Sequence, residues 1–119
     1  MIYVRKDIPS KMLEKHKFSK NVEALCIEIN LRKAKLLLVG LYHSKHPQYG
    51  TTDNEFLQQL GFALDIYTKY DKCLLVGDFN MQEDEDSIAN FLDAFNLKNL
   101  VKDKTCFKSQ NNPSCIDLF

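Results

Sequence analysis

The chain has 119 residues, no net formal charge, 45% hydrophobic residues and 11% aromatic residues. This composition argues against a disordered chain and against a strongly basic nucleic-acid-binding segment, and the length predicts one globular domain. The start, Met1-Ile2-Tyr3-Val4, reaches charged residues too soon for a secretory signal, and no apolar stretch has membrane-spanning length. We therefore expect an intracellular protein with no membrane partner.

The sign of the charge changes along the chain. Residues 1–50 carry ten Lys and Arg against four Asp and Glu, residues 51–97 carry two against ten, and residues 98–119 carry four against two. The basic first part offers a possible surface for phosphate groups. An ordinary solvated face is the simpler interpretation of clustered lysines.

The first half of the chain predicts strands. A strand is expected to start at Ile2–Val4, with a charged loop or a short helical turn over residues 11–20. Apolar residues alternate over 24–30, which predicts a half-buried strand, and Arg32-Lys33 turns the chain into an apolar strand over 36–42. These two strands are expected to form a hairpin.

The second half predicts two helices around a further strand. Thr52 and Glu55 have the spacing of a capping box, and apolar residues recur at helical spacing from there to Tyr70. A shorter helix fits 87–95, after an apolar strand over 73–76. The sequence therefore predicts an α/β fold, a β-sheet with covering helices, whose core includes Leu37, Val39, Phe56, Leu74 and Val76.

A Gly-Asp-Phe-Asn motif directly follows the strand predicted over 73–76. Gly77 allows a turn or a close backbone approach, and Asp78 and Asn80 would project to one side if the chain stayed extended. A carboxylate can take a proton from an attacking water, and a carboxamide can hydrogen-bond a phosphate oxygen, so the pair suits phosphodiester hydrolysis. An ordinary turn is the alternative, because Asp and Asn also favour turns.

Two more strand ends carry polar residues. Tyr42 ends the strand before the motif, and Asp117 lies in the apolar segment that closes the chain. If these strands are neighbours, Tyr42, Asp78, Asn80 and Asp117 meet at one edge of the sheet, within about 10 Å of one another.

The order of these segments resembles the endonuclease/exonuclease/phosphatase superfamily. More narrowly, it resembles the endonuclease domain of non-LTR retrotransposon polyproteins, over essentially the whole chain. The matching segments are Tyr-Val-Arg-Lys-Asp-Ile-Pro from Tyr3, Glu-Ile-Asn-Leu-Arg-Lys from Glu28, Gly-Asp-Phe-Asn from Gly77, and Pro-Ser-Cys-Ile-Asp-Leu-Phe from Pro113. The resemblance implies a four-layered α/β sandwich, of which residues 1–119 would be a central part.

The resemblance also implies a role for each strand-end residue. Asp78 would orient or deprotonate the attacking water, Asn80 would donate a hydrogen bond at the scissile phosphate, and Tyr42 would contact that phosphate through its hydroxyl. Asp117 would hold a catalytic His in position. The complete domain would use Mg²⁺ to cleave DNA, next to a reverse transcriptase in the same polyprotein, and a working protein of this kind would act in the nucleus.

Several parts of the family pattern are not matched in these residues. Family members carry an Asn and a metal-binding Glu before the equivalent of Tyr3, and a Ser-Asp-His segment after the strand of Asp117. Glu23 and Glu28 lie in a later strand than that metal-binding Glu, and Ser44-Lys45 replaces prolines usual after Tyr42. We therefore expect an inactive fragment without a metal site of its own.

Three alternatives stay open. The first is a non-catalytic remnant or interaction module, and the second is a phosphodiesterase of the same superfamily that acts on a substrate other than nucleic acid. The third is a zinc site from His43, His46, Cys106 and Cys115, although the spacing lacks the paired short knuckles of structural zinc.

Cys26 and Cys73 are expected to be buried reduced thiols. An EF-hand is excluded, because Glu83 and Ala89 occupy positions that need Gly and Glu.

Overall fold

The fold is α/β, as predicted, with a mixed sheet and two helices in the described part of the chain. A computed structural model describes residues 1–14, 17–81 and 86–101, and the backbone of residues 117–118. The elements are β1 (Ser10–Leu13), β2 (Glu23–Leu31), β3 (Ala34–Tyr42), α1 (Asp53–Ile66), β4 (Lys72–Asp78), α2 (Asp86–Ala94) and β5 (Asp117–Leu118). These elements make two layers, so the four-layered sandwich stays a prediction.

The sheet has the strand order β1-β2-β3-β4-β5. Strands β2 and β3 form the predicted antiparallel hairpin around Arg32-Lys33, with Leu31 opposite Ala34. Strands β3 and β4 are parallel, and α1 lies in the connection between them. Parallel strands need such a crossover, and it brings the ends of β3 and β4 to the same edge of the sheet.

The strand predicted at Ile2–Val4 is wrong. The position beside β2 is taken by β1, whose Ser10 pairs with Ile29 and whose Leu13 pairs with Cys26. Ile2 instead lies over the sheet, where its Cδ1 is 2.5 Å from the point that a Cβ on Gly40 would occupy. Apolar content alone did not reveal this, because pairing depends on which segment reaches the free edge of β2. Lys11 suits such an edge strand, since charged side chains discourage further pairing.

Both helices lie close to their predicted positions. Helix α1 starts at the predicted capping box, and α2 begins and ends one residue earlier than the predicted 87–95. Helix α1 ends at Ile66, before the predicted Tyr70, because Tyr67 leaves the helical conformation and its N–H caps the helix at Ala63 and Leu64.

The core lies between the helices and one face of the sheet. Leu37, Val39 and Phe56 are buried there, as predicted. The prediction that Leu74 and Val76 are buried is wrong, because both are only partly buried and Leu75 is the β4 residue that faces the helices. A strand in a parallel pair is expected to be covered on both faces, and the described helices cover one.

The two described cysteines differ in exposure. Cys26 is buried, as predicted, whereas Cys73 is exposed, which corrects the prediction of two buried thiols. Desolvation raises the pKa of each thiol to about 11, even at Cys73, where neighbouring side chains cover part of the thiol surface. Both thiols are therefore protonated and weakly reactive at neutral pH.

Within the described residues, neither helix is long and apolar enough to cross a membrane.

A polar contact ties the segment after α1 to the sheet. The Tyr70 hydroxyl donates a 2.6 Å hydrogen bond to Glu28 Oε2, and Lys35 Nζ lies 3.9 Å from Glu28 Oε1. The Tyr70 hydrogen bond is the main cause that lowers the pKa of Glu28, and Lys35 adds to it. Burial, followed by the bond to Glu28, raises the pKa of Tyr70 to about 12.

We predict that Thr52→Ala lowers the free energy of unfolding by about 1 kcal/mol, because the hydroxyl that accepts from the Glu55 N–H is lost, while the backbone half of the capping box can remain. Thr52 Oγ1 accepts from Glu55 N at 3.3 Å, and Glu55 Oε2 accepts from Thr52 N at 3.1 Å. Urea unfolding followed by circular dichroism measures the change. Thr68→Ala, at an exposed position after the helix, is the control and should change little. Equal effects of the two substitutions would contradict the prediction.

We predict that Tyr70→Phe destabilises the protein at neutral pH and less so at acid pH. A carboxyl with a lowered native pKa stabilises the fold above its unfolded-state pKa, and that contribution is lost as the pH falls through the native pKa. Without the Tyr70 hydroxyl, the pKa of Glu28 moves back towards its ordinary value. The free energy of unfolding of Tyr70→Phe is measured from neutral to acid pH. Tyr49→Phe, at an exposed position, is the control. A destabilisation that is independent of pH would show that packing alone is lost.

Candidate functional site at the ends of the central strands

The strand ends bring four polar residues into one line across the sheet. Tyr42 pairs with Glu23 of β2 on one side and with Asp78 of β4 on the other, and Asp78 pairs with Asp117 of β5. We call these four residues the strand-end row. The predicted meeting of Tyr42, Asp78 and Asp117 at one edge is therefore found in the backbone register. Their catalytic roles stay predictions.

Glu23, Tyr42 and Asp78 of the strand-end row lie on the face of the sheet opposite the helices. Leu41 is buried under the helices, so its neighbour Tyr42 projects to the other face, where 43% of its surface is exposed. Residues paired across neighbouring strands share a face and lie about 4.8 Å apart, which places Glu23 and Asp78 on either side of Tyr42. A groove of about 560 Å³, lined in part by Glu23, Tyr42 and Gly77, opens beside them.

Glu23 is the member of the row that the sequence did not reveal. The resemblance gives it no role, because it lies in a later strand than the family's metal-binding Glu. The signal that identifies it is the pairing of Glu23 with Tyr42, and this follows from the tight turn of the hairpin. Glu23 is exposed and adds a carboxylate to the row.

Gly77 permits the close approach of β4 to β3. Its φ is +145°, and a Cβ there would lie 1.9 Å from the carbonyl oxygen of Leu41. No side chain fits this space without moving the backbone of β3. The predicted reason for a glycine in the motif is therefore confirmed, and Asp78 occupies its position in the row because Gly77 precedes it.

Asp78 and Asn80 form a compact turn. Asp78 Oδ1 accepts a 3.0 Å hydrogen bond from the N–H of Asn80, and Asn80 has a φ of +48°. The prediction that the two side chains project together from an extended chain is wrong, because the strand ends at Asp78 and the chain turns. The Asn80 amide donates one of its two N–H groups to the His43 carbonyl oxygen at 2.8 Å, and the other has no hydrogen-bond partner among the described residues.

His43 is a residue of this site that sequence reasoning missed. It is fully buried, directly after Tyr42, and its N–H donates to the carbonyl oxygen of Asp78 at 2.9 Å. Its ring nitrogens lie 2.8 Å from the Phe79 carbonyl oxygen and 3.1 Å from the Thr51 carbonyl oxygen. Both nitrogens face backbone oxygens, and this argues against the zinc site considered above. The two cysteines of that site, Cys106 and Cys115, lie outside the described residues.

The described residues do not by themselves fit a Mg²⁺ site. Asp78 has one carboxylate oxygen engaged by the Asn80 N–H, and Glu23 lies two strands away. Within the ranges that the structure describes, no group of three or more His, Cys, Asp or Glu side chains is arranged to hold a metal ion.

Three basic residues of the described chain, Arg32, Lys33 and Lys45, add no unpaired positive charge next to Tyr42. Arg32 and Lys33 lie at the hairpin turn, at the other end of the sheet from Tyr42. Lys45 follows the site in sequence, but its Nζ lies 3.1 Å from Asp53 Oδ1. The basic surface for phosphate groups stays a prediction.

Comparison with known proteins supports the fold. No family model matches the chain, and no curated protein matches it by sequence. Among solved structures, the chain is similar to the "Endonuclease domain of TRAS1, a telomere-specific non-LTR retrotransposon", with a TM-score of 0.71 and 15% sequence identity. The match covers 94% of this chain and 52% of that chain, so the present chain spans about half the length of that domain. At this identity the likeness shows an endonuclease-like fold.

We predict that Gly77→Ala destabilises the protein by at least about 2 kcal/mol, because the new methyl group meets the Leu41 carbonyl in a backbone conformation that side chains rarely adopt. Gly61→Ala is the control, since its methyl group would meet only side-chain rings, Phe95 at 3.2 Å and Phe91 at 3.9 Å, within a helix that favours alanine. Chemical denaturation of both variants measures the difference. A Gly77→Ala protein as stable as the Gly61→Ala protein would show that β3 and β4 are not held as closely as described.

Proposed function

We propose that this chain is part of an endonuclease domain that hydrolyses phosphodiester bonds of DNA, as in a retroelement that nicks its target site. The observation that carries the proposal is the parallel pairing of Tyr42 with Asp78, which joins a phenol and a carboxylate at the edge of an endonuclease-like sheet. The groove beside them leaves this edge open on one side.

Each residue has a chemical task in this proposal. The free carboxylate oxygen of Asp78 accepts a proton from the attacking water, and the carboxylate orients that water towards phosphorus. The remaining N–H of Asn80 and the hydroxyl of Tyr42 donate hydrogen bonds to phosphate oxygens, whose negative charge increases in the transition state. Asp117 would orient a histidine supplied from outside the described residues.

The proposal extends to cofactor and partners. Mg²⁺ would serve the complete domain by neutralising the phosphate, with ligands that the described residues do not supply. DNA is the proposed substrate, a reverse transcriptase domain in the same polyprotein is the proposed neighbour, and the nucleus is the proposed place of action. Because metal, water activator and phosphate contacts act together, the 119 residues alone are expected to be inactive.

Two alternatives lead to different results in the same assays. A phosphodiesterase for another substrate would cleave a small chromogenic phosphodiester and leave plasmid DNA intact, because phosphate contacts alone do not select the leaving group. A remnant or interaction module would cleave neither substrate, even within a longer chain. The endonuclease proposal is preferred because the similar structure is the endonuclease domain of a retrotransposon.

The test compares two proteins. One is the 119-residue chain, and the other is a longer protein that also contains the residues encoded on either side of it. We predict that the longer protein nicks supercoiled plasmid in the presence of Mg²⁺ and that the 119-residue chain does not. Asp78→Asn in the longer protein should lower the nicking rate by about 10²–10⁴-fold, because a carboxamide cannot accept the proton. Its Oδ1 still accepts from the Asn80 N–H, so the turn is kept.

Asp65→Asn is the control, because it removes the same charge at an exposed position on α1. It should nick at the unchanged rate. Nicking by Asp78→Asn at the rate of the unsubstituted protein would overturn the role of Asp78. Nicking by the 119-residue chain that is lost on Asp78→Asn would keep that role and overturn the expectation that this chain is inactive.

A further inference from the structure

We propose that His43 is a positioning residue, which holds the turn of Asp78, Phe79 and Asn80 in the geometry that phosphodiester hydrolysis needs. The inference rests on the proposed function for its purpose, and on the hydrogen bonds of His43 for its mechanism. His43 does not touch the substrate in this proposal. It acts through the backbone and side chains of the residues that do.

His43 contacts each residue of the turn through a different group. Its N–H donates to the Asp78 carbonyl oxygen at 2.9 Å, and its carbonyl oxygen accepts from Asn80 Nδ2 at 2.8 Å. Its ring Nδ1 lies 2.8 Å from the Phe79 carbonyl oxygen. The two backbone contacts are available to any residue at this position, but the ring contact requires histidine or another side chain with an N–H at the same place.

The ring is fixed on its remaining sides. Nε2 lies 3.1 Å from the Thr51 carbonyl oxygen, so in either neutral tautomer the ring donates to one of the two carbonyl groups. One face of the ring stacks on Phe56 of α1, with centroids 4.3 Å apart and planes 12° from parallel. Phe56 in turn meets the Phe79 ring edge to face at 5.8 Å. His43 therefore links the start of α1 to the turn after β4.

Two charged groups lie near the His43 ring, one at the start of α1 and one in the loop after β3. Asp53 Oδ1 lies 3.7 Å from Nδ1, and Lys45 Nζ lies 3.1 Å from that oxygen. Asp53 is partly exposed and Lys45 is exposed, whereas the His43 ring is fully buried. Hydrogen bonding and stacking, rather than an isolated ion pair, therefore hold the ring.

The turn needs such support because its conformation is uncommon. Asn80 lies in the left-handed region at a φ of +48°, and residues there persist when the surrounding structure fixes them. Asn tolerates this region better than most residues, but the Asp78 to Asn80 hydrogen bond is local and partly exposed. Loss of the His43 ring would remove the support of Phe79, between Asp78 and Asn80, and leave only the two backbone contacts of residue 43 to hold the turn. A small misplacement of reacting groups lowers rates strongly.

The experiment compares His43→Phe, His43→Gln and the control His46→Phe. Phenylalanine keeps a ring to stack on Phe56 and removes both ring nitrogens, whereas glutamine keeps an N–H donor. The His46 ring also stacks on an aromatic ring, that of Tyr49, but it is exposed in the loop between β3 and α1. The same chemical change is thereby made at a site that does not contact the turn.

The first readout is amide hydrogen exchange in the 119-residue chain, measured by NMR. We expect the Asn80 amide to exchange about five- to tenfold faster in His43→Phe, as for the loss of one supporting hydrogen bond, while the Val39 amide in the central sheet is unchanged. His43→Gln should restore part of the protection, and His46→Phe should have no effect. Equal acceleration at Asn80 and Val39 would overturn the proposal, because His43 would then stabilise the fold as a whole.

The second readout is nicking by the longer protein. His43→Phe should lower kcat with little change in KM, and His43→Gln should recover part of the rate. A raised KM with kcat unchanged would overturn the proposal. If the unsubstituted longer protein does not nick, the proposed function fails, whereas the exchange rates still decide whether His43 holds the turn.

Discussion

The parallel pairing of β3 and β4 is the constraint on which the candidate site depends. It sets Tyr42 beside Asp78, and it requires α1 as the crossover that carries the chain back to start β4. Gly77 makes the pairing possible at its last positions, because any side chain there would meet the Leu41 carbonyl. The hairpin then adds Glu23 to the same line, and β5 adds Asp117.

The two faces of the sheet have different surroundings. One face packs on the helices through Val39, Leu75 and their neighbours, and it forms the core. The other face carries Glu23, Tyr42 and Asp78 together with apolar residues that are only partly buried, such as Leu38, Leu74 and Val76. Core packing on the face that the helices cover therefore fixes the strands. Tyr42 and its neighbours in the row stay accessible on the opposite face. Among the described residues, the helices cover one face of the sheet and Ile2 lies over part of the other, at Gly40.

The sequence by itself determined the class of fold, the hairpin and the two helices. Alternating apolar residues around Arg32-Lys33 and the capping box at Thr52 are local signals, and local signals are enough to place such elements. The motif at Gly77 pointed to the edge of the sheet because a short apolar strand precedes it. Resemblance to retrotransposon endonucleases came from the order of short segments, and the structural match agrees with it at the level of the fold.

Only the tertiary structure decided which residues meet. β1 replaced the expected strand at Ile2–Val4, because strand pairing depends on a distant partner and not on the apolar content of the segment. Glu23 joined the row through register, and Leu74 and Val76 fell on the uncovered face. His43 gave no local signal, since its role rests on contacts with residues 36 positions away at Phe79 and 8 positions away at Thr51. Neighbouring residues are enough to predict a turn, a helix cap or a short strand. A site whose residues come from several strands forms only when the chain folds, because distant segments then come into contact.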